Sequence, residues 1–213
     1  MSEVPFFSNL SEENLEIITK HAIRRSFPKN ATIINEGDQT DSLYVVEKGK
    51  AKAFLTDRSG REIVLGIIPQ GSYFGEIALL DREPRSANVM TLEPSTFLII
   101  SQNDFQQCLR DNIEIAMNML SALTERIRDL TGSIKSLALS NVYRRIVNTL
   151  LKMAVEKDGK LLIEDKLTQQ DIANMVGSSR EMVNKIFHDL IEGGYISTKN
   201  KQITIHKKLP SGW

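Results

Sequence analysis

The sequence predicts an α+β chain built from an N-terminal antiparallel β-roll, one long helix and a C-terminal winged helix-turn-helix. Three observations predict it. Between Ala31 and Ser101, short runs of period-two apolar alternation are separated by glycines at Gly37, Gly49, Gly60, Gly71 and Gly75, a rhythm of short strands and tight turns. After Asp111 the apolar residues recur in alternating steps of four and three, the spacing of a heptad seam. Beyond Leu167, two helical stretches flank Gly177, with the small Ala173 where the helices would cross.

The roll is drawn from the runs Ala31–Ile34, Leu43–Val46, Ala51–Thr56, Glu62–Ile67 and Thr96–Ile100, each alternating apolar and polar residues as a half-buried strand does. Within it, Gly75-Glu76-Ile77-Ala78 leads through a short loop to Arg85-Ser86-Ala87. This sets a carboxylate, a guanidinium and a hydroxyl beside a glycine-led turn. A ribose hydroxyl requires a fixed acceptor, which Glu76 supplies, and a cyclic phosphodiester requires a guanidinium fork plus neutral donors, which Arg85, Ser86 and backbone N–H groups supply. Taken alone, Glu76 and Arg85 could equally form an exposed ion pair across a loop, which would contribute little.

The long helix is drawn from Ile113, Met117, Leu120, Thr124, Ile127, Thr131, Ile134 and Ala138, a seam that pairs with a second copy of the chain. Leu123, Leu130 and Leu137 widen the apolar face, allowing the helix to lean on the roll. Thr124 and Thr131 interrupt an aliphatic seam; Thr124 tunes helix pairing, and Thr131 is either a pairing residue or one that reaches a bound base.

The helix-turn-helix begins at Thr168. Counting from Gln169, apolar residues fall at the fourth, eighth, fifteenth and eighteenth places: Ile172, Val176, Val183 and Ile186. Thr168 with Asp171, and Ser178 with Glu181, each place a hydroxyl at a helix start and a carboxylate three residues on, predicting two capping boxes. On the second helix Val183, Ile186, Phe187 and Leu190 face inward, leaving Ser179, Arg180, Glu181, Asn184, Lys185 and His188 outward. Arginine and lysine donate to guanine, glutamate accepts from cytosine, and a serine at a helix N-terminus suits a phosphate. Tyr195–Thr198, a polar turn at Lys199-Asn200 and Gln202–Ile205 predict a hairpin wing, with Lys199, Lys201, Lys207 and Lys208 available for phosphates.

Composition narrows the function classes. The 213 residues are 41% hydrophobic and 25% charged, enough for two modest soluble domains, and no apolar run approaches the roughly 18 residues of a membrane helix. No basic segment precedes an apolar one at the N-terminus, so no signal peptide is expected. Cys108 is the sole cysteine and cannot close an internal disulfide, which predicts a reducing cytoplasm. His21, His188 and His206 are scattered and show no metal-ligand spacing. No nucleophile and base pairing suggests an enzyme. The zero net charge conceals an asymmetry: residues up to 139 carry 15 Lys and Arg against 19 Asp and Glu, whereas the remainder carry 12 against 8. The basic half is the one expected to meet nucleic acid. Domain boundaries are therefore expected at 1–112 for the roll, 113–139 for the helix and 140–213 for the helix-turn-helix.

Tyr73-Phe74-Gly75-Glu76 through Arg85-Ser86-Ala87 strongly resembles the phosphate-binding cassette of cyclic-nucleotide-binding domains. Ser178-Ser179-Arg180-Glu181-Met182-Val183-Asn184-Lys185 is similar to the recognition helix of the Crp/Fnr superfamily of bacterial transcription regulators, in particular the cyclic-AMP receptor branch. The resemblance spans essentially the whole chain. It implies nucleotide contacts at Gly75, Glu76, Ile77, Ala78, Arg85, Ser86 and Ala87, with Arg126 on the long helix near the pocket glutamate. It further implies DNA contacts at Thr168, Gln170, Ser178, Ser179, Arg180, Glu181, Asn184 and Lys185. In the cyclic-AMP receptor branch two adjacent hydroxyl residues on the long helix bind adenine; here these positions hold Leu130 and Thr131, so one hydroxyl is missing. Lys185 replaces an arginine, exchanging a bidentate fork for a point charge. One cysteine excludes the iron–sulfur branch, and the axial ligands of a haem branch are not in evidence. The implied function is a homodimeric, cyclic-AMP-responsive regulator acting with RNA polymerase on inverted repeats with TGTGA-like half-sites. The alternatives are cyclic GMP, cyclic di-GMP or no effector and, in a different class, a nucleotide-gated module that binds protein.

Overall fold

The computed structural model describes residues 22–39, 41–157, 160–199 and 201–210; His21 and Asn200 lie outside them. The described residues divide into two compact units, one within Met1–Leu55 and Leu65–Arg128, the other within Thr56–Val64 and Asp129–Trp213.

Apart from Thr56 at the end of one strand and residues 62–64 at the start of the next, which are counted with the second unit, the first unit is an antiparallel roll of two four-stranded sheets. One has the order β1 (Ile23–Phe27), β8 (Ser95–Ser101), β3 (Ser42–Lys48), β6 (Tyr73–Phe74); the other runs β2 (Thr32–Ile34), β7 (Asn88–Thr91), β4 (Ala51–Thr56), β5 (Glu62–Ile68). Strand alternation divides the core in two. Val46 and Phe97 join Ile34, Ala51, Ala53, Ile68, Phe74 and Val89 in one cluster, where Phe74 meets Phe97 edge to face at 5.4 Å and stacks on Tyr44 at 5.0 Å. Their strand neighbours Leu43, Val45, Leu98 and Ile100 point to the opposite face and pack with Leu79, Phe105, Ile115 and Met119. Those partners come from three helices: α1 (Glu76–Asp81), α2 (Gln102–Asp111) and α3 (Ile113–Leu139).

The way α3 leans on the roll differs from the expected face. Ile115 and Met119 are buried and Leu123 packs beside them, whereas Leu130 and Leu137 remain 36% and 39% exposed. Residues 115, 119 and 123 repeat at i and i+4 and so share one side of the helix. The seam occupies another side: Ile113, Ile127 and Ile134 are 73%, 63% and 66% exposed. Thr124 donates its hydroxyl to Leu120 O at 2.8 Å, satisfying it within the helix.

In the second unit, α4 (Val142–Met153), α5 (Gln169–Val176) and α6 (Arg180–Glu192) pack around Ile146, Leu150, Ile172, Ala173, Val183 and Leu190. A sheet ordered β11 (Ile196–Lys199), β12 (Gln202–Ile205), β10 (Lys160–Ile163), β9 (Val155–Lys157) completes it. The strands β9 and β10 are additions to the sequence reading, and Lys199 closes β11 rather than the turn. Tyr143 donates to Pro210 O at 3.0 Å, fastening the chain beyond β12 to α4.

Candidate nucleotide pocket and DNA-reading helix

The cassette forms because Gly75 can adopt φ +85°, a left-handed conformation that turns β6 into α1. Its lack of a side chain is equally necessary, since a Cβ there would lie 2.5 Å from Arg85 Nη1 and 3.1 Å from Ser42 O. Arg85, 3% exposed, fills that space: Nη1 donates to Gly75 O at 2.5 Å and Nη2 to Ser42 O at 2.7 Å. Its own backbone is held too, with Arg85 N–H donating to Asp38 O at 3.0 Å and Gly37 N–H to Arg85 O at 2.8 Å.

Glu76 opens α1 and is 1% exposed. A buried carboxylate is costly unless paired, and Arg126 Nη1 from α3 donates to Glu76 Oε1 at 2.9 Å. Burial raises the Glu76 carboxyl above its ordinary range, and the Arg126 guanidinium pulls in the other direction. Burial, reinforced by the charge on Glu76, also pushes the neighbouring Tyr73 phenol up to about 12.

These groups line one recess, bounded by Gly75, Glu76, Ile77, Ala78, Arg85, Ser86, Ala87 and Arg126. Ile34, Ala53, Phe74 and Val89 complete the wall; none of these four belonged to the predicted site. Strand alternation was the signal that could have found them, since each lies on the inward face of its strand. Leu130 and Thr131 are exposed on α3.

In the second unit α6 follows a turn at Gly177, φ +61°. Thr168 and Asp171 form the expected capping box. The second expected box, Ser178 with Glu181, is not formed: Ser179 is the N-cap, accepting from Met182 N–H at 3.3 Å. The left-handed Gly177 lets Ser178 N–H turn back to Ala173 O at 3.0 Å, which shifts the helix start by one residue. Glu181, in the first turn, is held below the usual carboxylate range by its own backbone N–H and the Ser179 hydroxyl.

Arg180, Glu181, Asn184 and Lys185 are exposed, opposite the buried Val183, Ile186, Phe187 and Leu190. Asn184 Oδ1 accepts from Gln169 Nε2 at 3.1 Å, and Gln170 Nε2 donates to Asn174 Oδ1 at 2.8 Å. Among the described residues no cluster of His, Cys, Asp and Glu is placed to hold a metal ion, and no helix is long and apolar enough to cross a membrane.

A recess lined by a buried carboxylate and a guanidinium, on a chain that also carries a helix-turn-helix whose second helix exposes Arg180, Asn184 and Lys185, fits the class of DNA-binding regulators with a ligand-sensing domain. Residues 24–112 match the cyclic nucleotide-binding domain family and residues 144–208 the Crp-like helix-turn-helix domain. The chain belongs to the Crp/Fnr superfamily of DNA-binding transcription regulators, which are not enzymes. It is 31% identical to the cAMP-activated global transcriptional regulator CRP of Pasteurella multocida, over 92% of this chain and 95% of that one. It is 28% identical to a CRP-like cAMP-activated global transcriptional regulator of Mycobacterium tuberculosis, over 96% and 93%. Among solved structures, the c-di-GMP responsive global regulator CLP of Xanthomonas campestris aligns with a TM-score of 0.82 at 25% identity, covering 93% of this chain and all of that one.

Proposed function

We propose that the protein is a cytoplasmic, homodimeric, cyclic-AMP-responsive transcription regulator that binds inverted-repeat DNA with TGTGA-like half-sites and acts with RNA polymerase. The carrying observation is that Glu76 and Arg85, nine residues apart in sequence, line a single recess with Arg126. Glu76 is the acceptor for a ribose hydroxyl. Arg85 and Ser86 take the cyclic phosphate, the guanidinium being held in the recess wall before any ligand arrives, so little ordering cost remains. Residues 1–112 form the sensing domain, 113–139 the pairing helix and 140–213 the DNA-binding domain. The exposed Ile113, Met117, Leu120, Ile127 and Ile134 support pairing of α3 with its twin. Thr131 is the remaining hydroxyl for the base. Arg180 and Glu181 set the half-site bases, Lys185 leaves one position looser, and Thr168, Gln170, Ser178, Ser179 and Asn184 complete the DNA surface.

The names of the Pasteurella and Mycobacterium relatives support cyclic AMP as effector. A second reading, cyclic di-GMP, is favoured by the Xanthomonas neighbour and by Leu130, which leaves one hydroxyl fewer for adenine. Calorimetry with cyclic AMP, cyclic GMP and cyclic di-GMP decides between them. Saturable heat from cyclic AMP alone upholds the first reading, and saturable heat from cyclic di-GMP alone replaces it with the second.

A further inference from the structure

Arg145, on α4, lay outside every site predicted from sequence, yet its guanidinium joins two other helices. Nε donates to Val176 O at 2.7 Å and Nη2 to Gly177 O at 3.2 Å, while Nη1 donates to Ser140 O at 2.9 Å and reaches Leu137 O at 3.5 Å. Leu137 and Ser140 are at the C-terminal end of α3; Val176 and Gly177 are at the C-terminal end of α5. One planar cation therefore satisfies the last carbonyls of two helices at once. Each helix end leaves carbonyls without intrahelical partners and carries the negative pole of its dipole, so two ends brought together repel unless a cation lies between them. A guanidinium spreads five N–H donors in one plane and meets this need, whereas an ammonium offers a point charge. The turn itself is packed close to the same place, since a Cβ on Gly177 would stand 3.0 Å from Leu137 Cδ2.

The geometry points to Arg145 as a positioning residue that fixes the reading helix α6 relative to the end of the pairing helix α3. It thereby sets the half-site spacing that the dimer accepts. The inference rests on the reading that α3 pairs two chains and α6 reads DNA. The turn fixed by Arg145 leads directly into Ser179 and α6, so its angle determines where each reading helix stands from the dimer axis. Lengthening the spacer by one base pair moves a half-site by about 3.4 Å and rotates it about the duplex axis, which a rigid joint does not follow.

The test compares full-length wild type, Arg145→Gln and Arg145→Lys on three duplexes at one salt concentration. The duplexes are the preferred inverted repeat, the same repeat lengthened by one base pair, and a single half-site. Cyclic AMP, cyclic GMP or cyclic di-GMP is present, whichever the wild type responds to. Both variants are expected to bind the single half-site as wild type does, while the wild-type preference for the correct spacer shrinks by roughly tenfold, the low end for losing charge-assisted hydrogen bonds. An unchanged spacer preference with intact half-site binding overturns the inference. So does loss of half-site binding in both variants, which would make Arg145 a support of the helix-turn-helix fold itself. If the wild type shows no preference for any inverted repeat over unrelated duplex, the functional reading fails instead.

Discussion

Arg85 is proposed to serve structure and ligand together. Its guanidinium bonds the carbonyls of Gly75 and Ser42, so Arg85→Ala removes the proposed phosphate ligand and strips two carbonyls of a charged partner. Nucleotide affinity measured by calorimetry should fall by about tenfold to a hundredfold, and unfolding in urea should show a loss of about 1–3 kcal/mol. Unchanged affinity would refute the assignment. Glu76 carries a prediction of a different kind. Its folded pKa is raised by burial, so its contribution to stability is present below the unfolded value and is lost as pH rises through the folded one. Ligand binding has the opposite sign, because only the ionised carboxylate is a full acceptor for a ribose hydroxyl. Affinity should therefore weaken on acidification with a midpoint above the ordinary value of 4.5, and Glu76→Gln should bind more weakly with that dependence flattened. If the Gln variant keeps the wild-type pH profile, another group is titrating.

At the scale of elements, α3 has two faces, and the sequence reading resolved one of them. The heptad seam is legible because exposed apolar residues at regular spacing need no knowledge of neighbours. Ile115 and Met119 were missed because their burial depends on the outer faces of β3 and β8, which pairing register alone determines. The cassette was legible for the same reason as the seam, as Gly75 to Ala87 is a local run. Ile34, Ala53, Phe74 and Val89 reach the recess only once two sheets have closed over it. At the reading helix two adjacent serines competed for the cap, and the left-handed turn at Gly177 decided for Ser179. Arg145 left no trace in the pattern of residue types because its acceptors are backbone carbonyls. If the exposed seam pairs two chains, Ile127→Asp should convert the dimer to monomer in sedimentation equilibrium, since a carboxylate in an apolar seam is costly. Loss of dimer should also weaken binding to an inverted repeat far more than to a single half-site. A variant that remains dimeric would move the interface elsewhere.

At the scale of the whole molecule, nucleotide and DNA are proposed to act on one another through α3, the helix that carries Arg126 at the recess and ends beside the DNA-binding domain. Typical coupling of about 1–3 kcal/mol predicts that saturating cyclic AMP tightens operator binding by roughly 5- to 150-fold, and that operator DNA tightens cyclic AMP binding by the same factor. Both affinities are to be measured at a single salt concentration, because phosphate contacts make DNA binding salt-dependent. Thr131→Ala should reduce the factor more than it reduces ligand-free DNA binding. Equal operator affinity with and without cyclic AMP would end the proposal for that effector. One quiet feature makes such a change observable by spectroscopy. Cys108 is half-buried on α2, and burial, helped by Asp111, pushes its thiol up to about 11. Near neutral pH only about one molecule in ten thousand carries the reactive thiolate. A reporter thiol introduced on the exposed face of α6, as in His188→Cys, would outpace Cys108 for a maleimide-linked dye. The native cysteine could stay in place while paired fluorophores report the separation of the two reading helices.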